Sequence, residues 1–263
     1  MGRDDEEVAT VADDDAVPPR QEPSLAEVVA QMQERLDTLP PRLRHQRVFL
    51  STYQRTTIAV GTALAAGRFE DPAWVERWDV AFAQLYVEAL DSELAGLLPP
   101  RPWRLAFAAD AGLPPLRHVL LGINAHVNYD LPQALLAVIS DDDFTDDRVV
   151  ASRRRDHERI DEVLSSRVAA EDDELGGARS LLDRALTPLN RLGSKRFLRE
   201  ARQKVWHNTV ELQTARMQGP GSYSARLAEL ELLSAAKIAD LLAPGQVLLR
   251  LAVAGFGVTL PPP

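Results

Sequence analysis

Hydrophobic residues recur along most of this chain at intervals of three and four, the spacing that lines one face of an α-helix. A clear case starts at Asp71-Pro72, where an aspartate N-cap precedes a proline at the first helical position. Apolar residues then follow at helical spacing over 75–90. The one stretch that resembles the alternation of a β-strand lies near residues 246–251. The pattern therefore predicts an all-α fold.

Prolines, glycines and capping residues divide this pattern into about eight helices with short connections. Ser24 and Glu27, for example, have the spacing of a capping box, in which each side chain bonds the backbone N–H of the other residue. We find no internal repeat and therefore expect one bundle-like helical domain over residues 23–263. The predicted helices cover about 24–39, 43–66, 72–97, 115–130, 146–170, 178–190, 195–217 and 223–242.

Residues 1–22 differ from the rest of the chain in composition. Eight acidic residues and two arginines give this segment a charge of −6 out of the net −9, and it has few large apolar side chains. Such a segment cannot bury enough apolar surface to offset the entropy lost on ordering, so we expect a disordered acidic tail. The remaining charge of −3 provides no basic surface, and we expect no nucleic-acid partner.

Composition narrows the possible functions and locations further. The chain has no cysteine, which excludes disulfides and thiolate catalysis and leaves histidine and carboxylates as metal ligands. The most apolar late stretch, 247–256, contains Arg250 and is about half as long as a membrane span, so we expect no transmembrane helix. The acidic start lacks the basic and apolar regions of a secretory signal, which predicts a cytoplasmic location.

The most informative pattern is a ridge of polar residues within the helix over 115–130. His118, Gly122, His126 and Asp130 recur at intervals of four. Around the helix axis, each residue advances by about 100°. Measured from His118, His126 then lies near 80° and Asp130 near 120°, among the apolar positions of this helix. The obviously polar stripe lies near 260° by the same count. These side chains should therefore point into the core, where polar groups must be paired or must bind something.

A further aspartate also lies on an apolar helix face. With Trp78 at zero, Asp79 falls near 100°, where a solvated carboxylate is not expected. Asp156 and His157 lie at the edge of the apolar face of the predicted helix over 146–170 and are additional candidates. Two imidazoles and two carboxylates could hold one divalent ion, such as zinc, iron or manganese, that activates water for hydrolysis. The predicted metal ligands are Asp79, His118, His126 and Asp130.

A different class of function competes with this metal-dependent hydrolase. A buried histidine and aspartate at i and i+4 can satisfy each other through a charge-assisted hydrogen bond and serve only to knit the core. The protein would then be a non-enzymatic helical scaffold or a partner-binding protein. The partner, a small molecule or another protein, is not identified by the residues.

Two residues flanking the pair indicate a close approach and a bend. Gly122 lowers helix propensity by about 1 kcal/mol relative to alanine, which is understandable if a neighbouring helix or a ligand passes close to the backbone. Pro132 lacks a backbone donor and leaves the Asn128 carbonyl without its helical partner. The helix should therefore kink or end just beyond Asp130.

Two longer motifs resemble those of a mostly bacterial family, the domain of unknown function 5995. The similarity spans about residues 25–217. The first motif, F-x-D-P-x-x-V-x-x-x-D-x-x-F-A-x-L-Y, is matched by Phe69, Asp71, Pro72, Val75, Asp79, Phe82, Ala83, Leu85 and Tyr86. The second and more specific motif, L-x-G-x-N-A-H-x-N-x-D-L-P, is matched by Leu120, Gly122, Asn124, Ala125, His126, Asn128, Asp130, Leu131 and Pro132.

The resemblance implies a fold and marks certain residues, but it brings no activity. It implies an all-helical fold. It also marks Asp79, His126 and Asp130 as parts of the family motifs, whereas the acidic tail and the residues after Pro244 match nothing in the family pattern. The resemblance therefore leaves the hydrolase and scaffold hypotheses both open.

Overall fold

Helices form nearly all the regular structure in the computed structural model, which describes residues 23–174, 194–245 and 255–262. No strand occurs within these ranges. A 3-10 turn over Pro41–Gln46 precedes α2, and a π-helical turn over His126–Asp130 joins α5 to α6. The α-helices are α1 Leu25–Thr38, α2 Arg47–Ala65, α3 Pro72–Leu94, α4 Arg101–Phe107, α5 Pro115–Ala125, α6 Leu131–Val138, α7 Asp141–Thr145, α8 Asp147–Glu174, α9 Ser194–Gln218 and α10 Pro220–Leu242.

The predicted helix starts are confirmed where local chemistry dictates them. The Ser24 side chain accepts a hydrogen bond from the Glu27 N–H, and the Glu27 carboxylate accepts one from the Ser24 N–H, which completes the capping box of α1. The Asp71 side chain accepts from the Trp74 N–H at 3.0 Å and caps α3. These contacts satisfy backbone donors that have no partner inside the helix.

Other predictions differ from the structure or lie outside it. The predicted helix over 43–66 begins with the 3-10 turn, and the predicted helix over 115–130 is divided by the π-turn. The acidic tail, the predicted helix over 178–190 and the strand-like stretch near 246–251 lie outside the described residues. Within the described ranges, no helix has both the length and the apolar character needed to cross a membrane.

Helix α3 crosses the interior and contributes to two large apolar clusters. Its C-terminal half, including Tyr86, packs with Phe49 of α2 and Trp103 of α4. Its N-terminal half, including Trp74 and Trp78, packs with side chains of α6, α8 and α9. Around α3, the helices α1, α2 and α6 pack directly against it, while α10 packs on α4, α5 and α9. Each half of α3 consequently places its side chains beside a different buried histidine.

Candidate acid-base site

His126 and Asp130 form a buried hydrogen-bonded pair. His126 Nδ1 lies 2.8 Å from Asp130 Oδ2, and the two residues are only 3% and 2% exposed. The predicted inward direction of both side chains is thereby confirmed. Because both groups are removed from water, their mutual contact replaces the hydration that each loses on folding.

The pair lies on the π-turn between α5 and α6. The Leu131 N–H bonds the His126 carbonyl, five residues back, so the α-helix ends at Ala125 and a new one begins at Leu131. Pro132 has no N–H to continue an α-helical ladder here, as the sequence predicted. Single π-turns inside α-helices are frequent at functional sites.

Aromatic side chains from three helices enclose the pair. Trp103 Nε1 donates to Asp130 Oδ2 at 2.7 Å and fixes the carboxyl group. The Phe82 ring stacks on the His126 ring with centroids 3.5 Å apart, and Tyr53 meets it edge-on at 4.4 Å. These contacts hold the imidazole in one orientation.

The number of protons on the pair decides what its free nitrogen does. Burial lowers the pKa of His126 well below its usual value, and burial also raises the pKa of Asp130, against the opposing hydrogen bond from Trp103. With Asp130 ionised, Nδ1–H donates to the carboxylate and Nε2 keeps a lone pair. With Asp130 protonated, the carboxyl group donates to Nδ1 and Nε2 carries the hydrogen. Nε2 can thus act as a base or as an acid.

Several buried polar atoms in this part of the core have no partner, and Asp79 and Asp130 both act electrostatically on Tyr53. His126 Nε2, Asp79 Oδ2 and the hydroxyls of Tyr53 and Tyr86 are buried, and none has a hydrogen-bond partner in the protein. Burial raises the pKa of Asp79 to about 7. Burial, followed by the charges of Asp79 and Asp130, raises the pKa of Tyr53 well above its usual value, so that hydroxyl stays protonated. We call His126, Asp130, Asp79, Tyr53 and Tyr86 the His126 site.

His118 is the predicted ligand that the structure separates from the others. Its ring lies against His45, with centroids 4.7 Å apart, and burial, followed by the neighbouring His45, lowers its pKa. Eight residues of helix span about 12 Å, too far for His118 and His126 to share one ion. Among the described residues, no three His, Cys, Asp or Glu side chains are grouped so that they could hold a metal.

Gly122 makes room for a neighbouring helix. A Cβ atom at this position would lie 2.4 Å from Phe49 Cδ2 on α2. The close approach predicted from the sequence is therefore that of an aromatic side chain, and it brings Phe49 against both Trp103 and Tyr86. Gly122 thus shapes the wall of the His126 site.

No pattern in the sequence marks Tyr53, Trp103 or Phe49 as neighbours of the His126–Asp130 pair. Tyr53 is separated from His126 by 73 positions in the chain, and periodicity carries no signal for contacts at such a distance. Tyr86, in contrast, belongs to the same family motif as Asp79, and membership of that motif was a usable signal.

The two additional candidates have different surroundings. Asp156 is fully buried, and its two oxygens accept from the Glu70 and Asp71 N–H groups at 2.8 Å each, so it anchors the start of α3. His157 is buried against Trp78 and Trp206, and neither of its ring nitrogens has a partner. We call His157, Trp74, Trp78 and Trp206 the His157 cluster.

Comparison with known proteins finds one family match that covers most of the chain. The model of the family of unknown function DUF5995 matches residues 25–244, and the chain belongs to that family. The match contains every residue of the His126 site. No curated protein and no solved structure matches the chain.

Proposed function

We propose that the protein binds a small polar molecule at the His126 site and exchanges a proton with it. One observation carries this proposal: Asp130 holds Nδ1 of His126, while Nε2 is buried without a partner. This resembles the arrangement of a histidine in general acid-base catalysis, in which a carboxyl group orients the ring and the other nitrogen is left for the reacting group.

The remaining groups have distinct roles in this proposal. Trp103 is a positioning residue, because it touches Asp130 and not the free nitrogen. The hydroxyls of Tyr53 and Tyr86 are neutral donors for a polar ligand. Asp79, with a pKa of about 7, is a second group that can give or take a proton near neutral pH.

Hydrolysis is the reaction class that this set of groups supports best. In the form with Asp130 ionised, Nε2 of His126 would take a proton from water as the oxygen attacks an electrophilic carbon or phosphorus. The protonated Asp79 would give its proton to the leaving group, so that one proton enters the site and one leaves it. General acid-base assistance of this kind typically contributes about 10²–10⁴-fold to a rate.

A divalent ion at this site stays a separate prediction. Of the four ligands expected from the sequence, His126 and Asp79 carry buried atoms without partners, whereas Asp130 already bonds Trp103 and His126. Elemental mass spectrometry of the purified protein tests the ion directly. Less than about a tenth of an equivalent of transition metal, with none taken up on addition, would rule it out.

The second candidate is the scaffold hypothesis, which the deep burial of the pair favours. Under it, the His126–Asp130 bond contributes only to stability, typically about 1–3 kcal/mol for a buried polar partner. The protein would then turn over no small-molecule substrate, and variants of the pair would change the free energy of unfolding alone.

A matched pair of variants distinguishes the two candidates. The wild type, His126→Gln and His157→Gln are incubated with chromogenic carboxylic esters, phosphate esters and anilides, and their folding is checked by circular dichroism. We expect turnover of one class by the wild type and by His157→Gln, and a loss of at least about 100-fold in His126→Gln. Equal rates in the two variants would place the chemistry elsewhere. No turnover of any class would support the scaffold.

A further inference from the structure

Residues 255–262 follow the surface of the helical body without forming helix or strand of their own. Side chains of the π-turn, α9 and α10 bond its backbone groups. We refer to it as the 255–262 segment and to the surface that holds it as the peptide groove.

Two buried asparagines bind the segment's backbone in the same way, two residues apart. Asn128 Nδ2 donates to the Phe256 carbonyl at 3.3 Å, and its Oδ1 accepts from the Val258 N–H at 3.3 Å. Asn208 Nδ2 donates to the Val258 carbonyl at 3.0 Å, and its Oδ1 accepts from the Leu260 N–H at 2.9 Å. Each amide thus joins the carbonyl of one residue to the N–H of the residue two positions later.

Basic side chains bind further carbonyls of the segment. Lys237 Nζ donates to the Gly255 carbonyl at 2.6 Å, and Lys204 Nζ donates to the Gly257 carbonyl at 3.2 Å. His207 Nε2 lies 3.1 Å from the Leu260 carbonyl. The chain has three lysines, and two of them are used here. All these contacts are to the main chain, so they hold the segment through its backbone. Gly255 has a positive φ, and a Cβ atom at Gly257 would lie 2.8 Å from Lys204 Cδ, so glycine fits best at these two positions.

Two apolar side chains supply the selectivity. Phe256 and Leu260 are buried, whereas Thr259 is exposed. Leu260 packs in a cluster with Leu212 and Leu230. In an extended chain, residues four apart point to the same side. The two buried apolar side chains of the segment are therefore at i and i+4.

The residues that form the groove lie inside the family match, whereas the segment that occupies it lies outside. Asn128, Lys204 and Asn208 lie within the matched residues 25–244, whereas the 255–262 segment lies beyond them. The groove is thus built on the family domain, and its occupant comes from outside that domain.

We propose that the peptide groove is a binding site for an extended segment of a partner protein with large apolar residues at i and i+4. The 255–262 segment fills this groove as an intramolecular competitor. A tethered competitor has an effective concentration of up to about millimolar, so a partner binds measurably only when its segment fits better or when the tethered segment is weakened. This inference does not depend on the acid-base chemistry of the His126 site.

The test uses the full-length chain and a fluorescent peptide with the sequence of residues 255–262. In the double variant Phe256→Ser/Leu260→Ser the tethered segment loses both apolar anchors. We expect this variant to bind the peptide at least about tenfold more tightly than the wild type, as measured by fluorescence anisotropy. Adding Asn208→Ala should weaken that binding at least about tenfold, because two hydrogen bonds are lost.

Two controls make the result specific. Thr214→Ala, at an exposed position on α9, should leave binding by the double variant unchanged. A peptide with serine in place of both apolar residues should not bind. The proposal is overturned if the folded double variant fails to bind the peptide, or if Asn208→Ala has no effect on binding.

A second measurement decides the matter if the double variant does not fold. An excess of unlabelled peptide is added to the wild type, and hydrogen exchange is followed at the amides of Val258 and Leu260. We expect faster exchange at both, because displacement of the segment removes their acceptors on Asn128 and Asn208. Unchanged exchange at millimolar peptide would overturn the proposal.

Discussion

The two buried histidines beside α3, His126 and His157, have surroundings of opposite character. His126 bonds a carboxyl group, and a second carboxyl and two phenol hydroxyls without partners lie nearby. His157 lies between Trp78 and Trp206, and the side chains that act on its charge are the cations Arg202 and Arg154. The pKa of each histidine is lowered, mainly by burial.

The comparison shows that burial and a lowered pKa do not by themselves define a functional histidine. Burial lowers the pKa of both rings, and both have nitrogens without partners. Of the two, only His126 has a carboxyl group hydrogen-bonded to its ring. The proposed proton exchange therefore belongs to the His126 site. Around His157, the described residues provide the rings of Trp78 and Trp206 and the charges of Arg154 and Arg202.

The largest expected effect concerns Asp79, the acid that the His157 cluster lacks. Burial raises the pKa of Asp79 in the folded protein to about 7, above the ordinary value of 3.8. The protonated side chain therefore stabilises the folded protein fully below pH 3.8, and this stabilisation is lost as the pH rises through about 7. The Asp79→Asn variant cannot ionise at this position and does not lose this stabilisation. The difference in free energy of unfolding, variant minus wild type, should therefore rise by up to about 4 kcal/mol between pH 4 and pH 8.

Urea unfolding across that pH range measures the difference. The exposed Asp142→Asn variant is the control and should give a curve parallel to that of the wild type. Parallel curves for Asp79→Asn as well would mean that Asp79 is ionised in the folded protein, and the distinction between the two histidine regions would weaken.

The second prediction compares the two histidines directly. His126→Leu leaves Asp130 without one of its two partners, which should cost about 3 kcal/mol at neutral pH. His157→Leu deprives no other group of a hydrogen bond and should change the free energy of unfolding by less than about 1 kcal/mol. Denaturant unfolding of both variants checks this, and equal losses would show that the difference in surroundings has no energetic consequence.

A smaller effect is expected at Gly122, which lies behind the His126 site. Gly122→Ala forces a methyl group against the Phe49 ring, and such overpacking lowers the free energy of unfolding by about 1–3 kcal/mol. The higher helix propensity of alanine raises it by about 1 kcal/mol. The net loss should be about 1–2 kcal/mol. Gly221→Ala on α10 is the control, because its new Cβ would meet nothing within 4 Å.

A compensating variant tests the cause of that loss. Phe49→Leu in the Gly122→Ala background should recover part of the stability, since the smaller side chain relieves the contact. Additive losses in the double variant would mean that Gly122 is required for some reason other than its approach to Phe49.

The smallest effect is expected from deletion of residues 1–22, which should shift the melting temperature by less than about 2 °C. The arginines that an acidic tail could approach, beside His157, already have carboxylate partners. Arg153 pairs with Asp71 at 2.5 Å, and Arg155 pairs with Glu70 at 2.8 Å. A larger shift, measured by differential scanning fluorimetry, would indicate that the tail docks near the His157 cluster.

The sequence by itself determined the features that depend on neighbours within a few residues. Helix periodicity predicted the all-α fold, and the capping box at Ser24 and the cap at Asp71 gave the starts of α1 and α3. The interval of four predicted that His126 and Asp130 share one buried face, and Pro132 predicted the interruption there. These features are local because helix geometry and backbone hydrogen bonding are set by a residue and its next few neighbours.

Only the tertiary structure decided which distant residues meet. It brought Tyr53 and Trp103 to the His126–Asp130 pair, placed Phe49 against Gly122, and left His118 beside His45. The same holds for the peptide groove, where Asn128 and Asn208 bind one extended segment from separate helices. A helical pattern shows which face is buried, but the partner of that face depends on how the ridges of several helices fit together, and no single segment contains that information.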